Sequence, residues 1–160
     1  MHEMDFLFFI DAITRIRPKV FMFENVQNIL GRHKWYFELI LKELRKQGYI
    51  VEYKVLNAVD YGVPQNRERL ITVGYKSSFH FPTIEMKKNT VGDAIGDLMT
   101  QFDIDSHFLT PEQDRYIAVY EEKSHCINPR DLYADRPART LTCRNLAGAT
   151  SDMHRVKSRL

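Results

Sequence analysis

Glu24, Asn25 and Val26 follow directly on the apolar run Val20-Phe21-Met22-Phe23, a short continuous stretch of the kind that forms a strand buried on both faces. Open α/β sheets bind ligands at the carboxyl ends of their strands, so an acidic side chain there is placed to meet one. Further along, Gln65, Arg67 and Arg69 occupy alternate positions at the start of the β-branched and apolar segment Arg69 to Tyr75. Alternate positions on a strand point the same way, and the guanidinium fork binds carbonyl and phosphate oxygens in a fixed geometry. Two arginines so spaced form either a two-pronged site for oxygens or one solvated face of an edge strand. Arg130, Arg136, Arg139, Arg144, Arg155 and Arg159 crowd toward the C-terminus with few acids between them. Together they make a local basic face; singly, each is equally an ordinary surface arginine.

The whole-chain balance gives no further support for a polyanionic partner. Twenty-three Lys and Arg oppose 21 Asp and Glu, a net charge of +2, so any nucleic-acid surface is local. Cys126 and Cys143 form no CxxC pair, and the six histidines show no ligand spacing; this argues against a zinc site and against a disulfide-rich secreted scaffold. The apolar run Phe6 to Ile10 lacks a preceding basic region and is interrupted by Asp11, too short for a signal or a membrane span. A reducing cytoplasm is the expected setting. With 160 residues, 44% of them hydrophobic, the chain supports one core, as one domain or part of one.

Several elements must position these residues. Residues 4 to 17 carry apolar side chains at helical intervals, with Phe6, Phe8 and Phe9 filling the gaps; such a helix needs covering from more than one direction. Pro18 ends it. Phe37, Ile40, Leu41 and Leu44 lie on one side of a helix over 36–47, with Gly48 as its stop. Tyr49 to Asn57 alternates as a strand, and a loop over 58–68 leads to the strand Arg69 to Tyr75. Residues 79–82 read as a loop and 91–99 as a short helix. Thr110-Pro111-Glu112-Gln113 starts a longer helix to Lys123, with an N-cap hydroxyl and proline at the first helical position. Residues 126 to 160 read as loops and short strands, and Trp35 and the tyrosines read as core rather than as base-stacking platforms.

Three segments in order resemble the cytosine-5 DNA methyltransferase family. Pro18 to Val26 is similar to its Glu-Asn-Val motif after a hydrophobic strand. Asp60-Tyr61-Gly62-Val63-Pro64-Gln65-Asn66-Arg67-Glu68-Arg69 resembles its Gln-x-Arg-x-Arg motif with the usual lead-in, and Asp135 to Thr142 resembles a Pro-Ala-x-Thr stretch near the target-recognition region. Each triplet alone is weak evidence; their order and spacing on matching elements carry the resemblance, over residues 6 to 99 closely and 124 to 157 loosely.

The resemblance implies an α/β fold, a partial Rossmann-like methyltransferase sheet followed by a mostly irregular region leading into target recognition, with residues 1–99 as part of the catalytic core and 100–160 as the start of the DNA-facing region. It implies S-adenosylmethionine as methyl donor, double-stranded DNA as partner and a restriction–modification setting. Glu24 matches the acid that holds cytosine N3 and the exocyclic amine while a cysteine thiolate adds to carbon 6; Asn25 would support it. Arg67 and Arg69 match the groups that hold the flipped nucleotide by its O2 and phosphates, one of them orienting Glu24. Gln65 would bond backbone or DNA, and Arg136, Arg139 and Arg144 would neutralise phosphates. The family's Pro-Cys-Gln loop, its Gly-rich cofactor turn and its closing Asn-containing motif do not occur in the sequence; neither Cys126 nor Cys143 has the flanks of the nucleophile. The expectation is a piece of a methyltransferase, excised or one half of a split enzyme, inactive alone. A hydrophobic sheet edge at Val20 to Phe23 would then invite a complementary subunit or self-association. Two other readings stay open: a non-catalytic DNA-binding or assembly module of the same descent, and an unrelated α/β protein with chance motifs.

Overall fold

In the computed structural model the described residues are 3–83, 86–100, 110–123, 125, 131–140 and 155–156. Helix α1 (Glu3–Ile16) ends where Arg17 turns to a positive φ of 50°, ahead of Pro18, whose ring disfavours helical backbone in the residue before it. Strand β1 (Val20–Val26) follows, then a 3-10 turn over Gln27–Leu30 and helix α2 (Lys34–Lys46), which buries Phe37, Ile40, Leu41 and Leu44 on one stripe, as their i, i+3, i+4, i+7 spacing dictates. Gly48, at φ 82°, closes α2 with the left-handed turn that glycine adopts without steric cost. Strand β2 (Ile50–Asn57) comes next, then the two-residue strand β3 (Gln65–Asn66) and strand β4 (Glu68–Tyr75).

The main sheet has the order β1-β4-β2. β4 is antiparallel to both neighbours, so β1 and β2 run in the same direction with α2 between them, and β4 is inserted where a simple βαβ unit would have its two strands adjacent. One face of the sheet carries Phe21, Phe23, Thr72, Leu70 and Val51. Against it pack Phe6 and Ile13 of α1 and the apolar stripe of α2, forming one buried cluster with Ile29 and Tyr49. Full burial of each Leu or Phe in such a cluster contributes about 1.5–3 kcal/mol. Phe21 is boxed edge-on by Phe9 and Tyr49, and the Tyr49 hydroxyl donates to the Pro18 carbonyl at 2.7 Å, tying the start of β2 to the start of β1.

Two expectations need correction. β1 is not buried on both faces: Phe21 and Asn25 are buried while Val20, Met22 and Val26 are exposed, Met22 to 66%, because the helices cover a single side of the sheet. The strand runs on through Glu24, Asn25 and Val26, which form its carboxyl end. Likewise α1 is covered from one direction only, and Leu7, Phe8 and Ile16 on its other sides are exposed.

The chain packs as two compact units, residues 1–57 with 68–84, and residues 58–67 with 85–160; this division by contacts differs from the functional one drawn between 99 and 100. The second unit contains helix α3 (Val91–Ile95), opened by a reciprocal cap in which the Thr90 hydroxyl accepts from the Asp93 amide and the Asp93 carboxylate accepts from the Thr90 amide. A 3-10 turn over Gly96–Thr100 follows. Helix α4 (Pro111–Lys123) buries Ile117. Strands β5 (Asp131–Leu132), β6 (Ala138–Arg139) and β7 (Arg155–Val156) form two short parallel pairs, β3 with β6 and β5 with β7.

Candidate active site

The register between β1 and β4 sets Glu24 opposite Ile71 and Val26 opposite Arg69. Glu24 and Arg69 are thus diagonal neighbours on one face, within reach of long side chains, and the Arg69 Nε donates to Glu24 Oε1 at 2.6 Å. A second nitrogen, Nη1, donates to the Glu68 carbonyl at 2.8 Å, so the guanidinium is anchored to its own strand while it holds the acid. The Arg69 side chain is 20% exposed and that of Glu24 50%. The carboxylate is fixed from one side and open on the other, an arrangement able to present an oriented hydrogen-bonding edge to a planar ligand.

Asn25 points to the opposite face and is 3% exposed; its Oδ1 accepts from the Val26 amide at 2.8 Å, which fixes the backbone at the strand end. On that side opens a cleft of about 310 Å³ lined by Asn25, Val26, Asn28, Ile29, His33, Trp35 and Tyr36. Trp35, expected in the core, is 60% exposed on this cleft. It precedes the first buried position of α2, Phe37, and so falls off the apolar stripe.

The other candidates lie in the second unit. Gln65 is in β3, and Arg67 follows it, one residue before β4 begins. Arg67 lies one residue before β4 and belongs, with Gln65, to the second compact unit, while Arg69 lies in β4 and belongs to the first. Around Arg67 the backbone is closely tied. The Ala58 amide donates to the Arg67 carbonyl at 3.1 Å and the Ala138 amide to the Pro64 carbonyl at 2.8 Å. The Thr140 hydroxyl donates to the Asn66 carbonyl at 2.7 Å, and Asn89 Nδ2 to the Gly62 carbonyl at 2.9 Å. Arg139 is half-buried in β6, its backbone beside Asn66. Arg136 is exposed, pairs with Asp135 at 3.1 Å and stacks on the Tyr133 ring at 4.6 Å. The Asp135 carboxylate, through its hydrogen bond first and its charge second, makes the Arg136 guanidinium hold its proton more tightly than usual and offsets part of the charge available to a phosphate. Arg144, Cys126 and Cys143 lie outside the described residues.

The sequence alone does not signal the bonds that Thr140 and Asn89 make to this segment. Thr140 is the threonine of the Pro-Ala-x-Thr stretch, but its partner is 74 positions away, and no local pattern signals a contact of that span.

Residues 4–144 match the family model for C-5 cytosine-specific DNA methylase. The chain is 50% identical over 150 residues to the Type II methyltransferase M.AplI of Arthrospira platensis, covering 92% of this chain and 44% of that protein. It is 45% identical over 98 residues to the Type II methyltransferase M.MthTI of Methanothermobacter thermautotrophicus, covering 58% of this chain and 30% of the relative. The chain thus spans less than half the length of these relatives. Among solved structures, the S. pombe Dnmt2 methyltransferase aligns over 95% of this chain and 46% of its own with a TM-score of 0.59 at 17% identity. A Spodoptera frugiperda DNMT2 variant aligns over 96% of this chain and 47% of its own, also at 0.59 and 17%; both likenesses bear on the fold, a Rossmann-like methyltransferase sheet. On the matched family model and the identity to M.AplI, this chain belongs to the C-5 cytosine-specific DNA methylase family.

Proposed function

We propose that this chain supplies the base-holding part of a DNA cytosine-5 methyltransferase of a restriction–modification system, acting in the cytoplasm on double-stranded DNA with S-adenosylmethionine as methyl donor. The observation that carries this reading is the 2.6 Å pair of Glu24 and Arg69, formed in a chain of the cytosine-5 family. The carboxyl of Glu24 meets the N3 and exocyclic amine edge of an extruded cytosine, where it accepts from the amine and holds a proton at N3. Arg69 keeps the carboxyl oriented. Asn25 secures the strand that bears them. Arg67 binds the nucleotide through its O2 or phosphate oxygens, Gln65 bonds backbone or DNA, and Arg136, Arg139 and Arg144 contact phosphates. Residues 1–99 serve the catalytic core and 100–160 begin target recognition. The nucleophile and the donor site come from a segment other than residues 1–160, in the same polypeptide or a partner subunit, and it pairs with the exposed edge of β1.

A fusion in which this chain replaces the matching 44% of M.AplI tests the reading by methyl incorporation into duplex DNA. Residues 1–160 alone transfer no methyl group, the fusion does, and Glu24→Gln in the fusion lowers kcat by roughly 10²-fold or more while DNA affinity stays within a few-fold. A fusion indifferent to Glu24→Gln sinks the assignment. DNA binding without methylation favours the non-catalytic module instead.

A further inference from the structure

Both peptide groups that flank Arg67 are held. The carbonyl before it, that of Asn66, accepts the Thr140 hydroxyl at 2.7 Å; its own carbonyl accepts the Ala58 amide at 3.1 Å. Fixing the two peptide planes fixes the two soft dihedrals between them, and so the direction in which the Arg67 side chain leaves the backbone. The Ala58 contact is local and closes the loop that ends at Arg67. The Thr140 contact is not: it arrives from a segment that is itself anchored at both ends. At its far end the Gly92 amide donates to the Ala134 carbonyl at 2.9 Å and the Val91 amide to the Arg136 carbonyl at 3.0 Å, so residues 134–136 are bonded to the first turn of α3. Gly92 permits this close approach, since a Cβ there would lie 2.7 Å from the Ala134 oxygen. At its near end β6 lies beside β3 in parallel register, Gln65 with Ala138 and Asn66 with Arg139.

We infer that Thr140 is a positioning residue for Arg67: its hydroxyl bond to the Asn66 carbonyl sets the peptide plane from which Arg67 is aimed at nucleotide oxygens. The inference rests on the reading of Arg67 given under the proposed function. A hydroxyl suits the task because it donates in any direction its rotor allows, whereas a valine of nearly the same shape presents no donor and leaves the carbonyl to water. Thr140 acts on DNA through Arg67.

The test measures binding of residues 1–160 to a duplex carrying one unpaired cytosine, by fluorescence anisotropy, for wild type, Arg67→Ala, Thr140→Val, Thr140→Ser and the double variant Arg67→Ala/Thr140→Val. Expected are a loss of about tenfold for Arg67→Ala, about fivefold for Thr140→Val, recovery to near wild type for Thr140→Ser, and no further loss when Thr140→Val is added to Arg67→Ala. Amide exchange at Ala58 gives a second readout, accelerated in Thr140→Val and not in Thr140→Ser. Thr140→Val binding like wild type, while Arg67→Ala is impaired, overturns the positioning role; so do additive losses, which would mean that Thr140 meets DNA itself. Arg67→Ala binding like wild type overturns instead the reading of Arg67 on which the inference rests.

Discussion

At the scale of single residues, the role proposed for the Glu24–Arg69 pair can be told apart from its contribution to stability. Its carboxylate is half exposed, and exposed ion pairs contribute about 0–1 kcal/mol to folding because water screens both partners. An unpaired Arg69 would also still bond the Glu68 carbonyl. Arg69→Ala is therefore expected to shift the urea-unfolding free energy by less than about 1 kcal/mol, yet to lower methyl transfer by the M.AplI fusion roughly 10²-fold, because the acid loses its orientation. Arg69→Lys should not restore the rate, since an ammonium lacks the fork that binds an acid and a carbonyl together. Losses of stability and of rate that move together across both variants would show that Arg69 is merely structural. The place of Glu24 near the end of a strand was readable from sequence because it is a local feature. Its partner was readable only in type, since which guanidinium reaches it depends on the β1–β4 register.

The elements owe their positions to a few side chains whose shapes leave no alternative, and Gly74 is the clearest. It lies opposite Phe21 in the β1–β4 register, and a Cβ there would come within 2.0 Å of the Phe21 ring. That ring cannot swing aside, being packed edge-on by Phe9 at 5.7 Å and Tyr49 at 4.9 Å. Gly74→Ala is expected to cost about 1–3 kcal/mol, the range for overpacking a filled core, read as a lower urea midpoint with unchanged slope. An unchanged midpoint would show that the two strands yield. Such a dependence is invisible in sequence, where Gly74 is one glycine in an apolar run, whereas the buried stripe of α2 was legible: Phe37, Ile40, Leu41 and Leu44 and the Gly48 stop are periodic and local, although the helix begins at Lys34, two residues before the expected start. Chain order said that the strands at 20, 50 and 69 exist. It did not say that the last of them inserts between the other two, or that the segment around Thr140 crosses to Asn66, because both depend on contacts between distant residues.

At the scale of the whole molecule, the uncovered surface lies where the sheet ends. β1 bonds β4 on one side and, among the described residues, no strand on the other; its seven residues expose Val20, Met22 and Val26 on the face that the helices leave open. An apolar edge of that length is a template for another strand. Residues 1–160 are expected to self-associate with rising concentration, their weight-average mass by light scattering climbing toward that of a dimer or beyond. Met22→Lys should reverse this with little change in stability, because the side chain it replaces is already 66% exposed and surface substitutions cost within about 0.5 kcal/mol, while a lysine on an edge strand opposes strand addition. The part of M.AplI that this chain does not cover, added in trans, should compete for the same edge and also dissolve the self-association, which separates a pairing surface from unspecific stickiness. A wild-type chain that stays monomeric at high concentration would mean that the edge of β1 recruits nothing, and the complementary segment would then have to dock elsewhere.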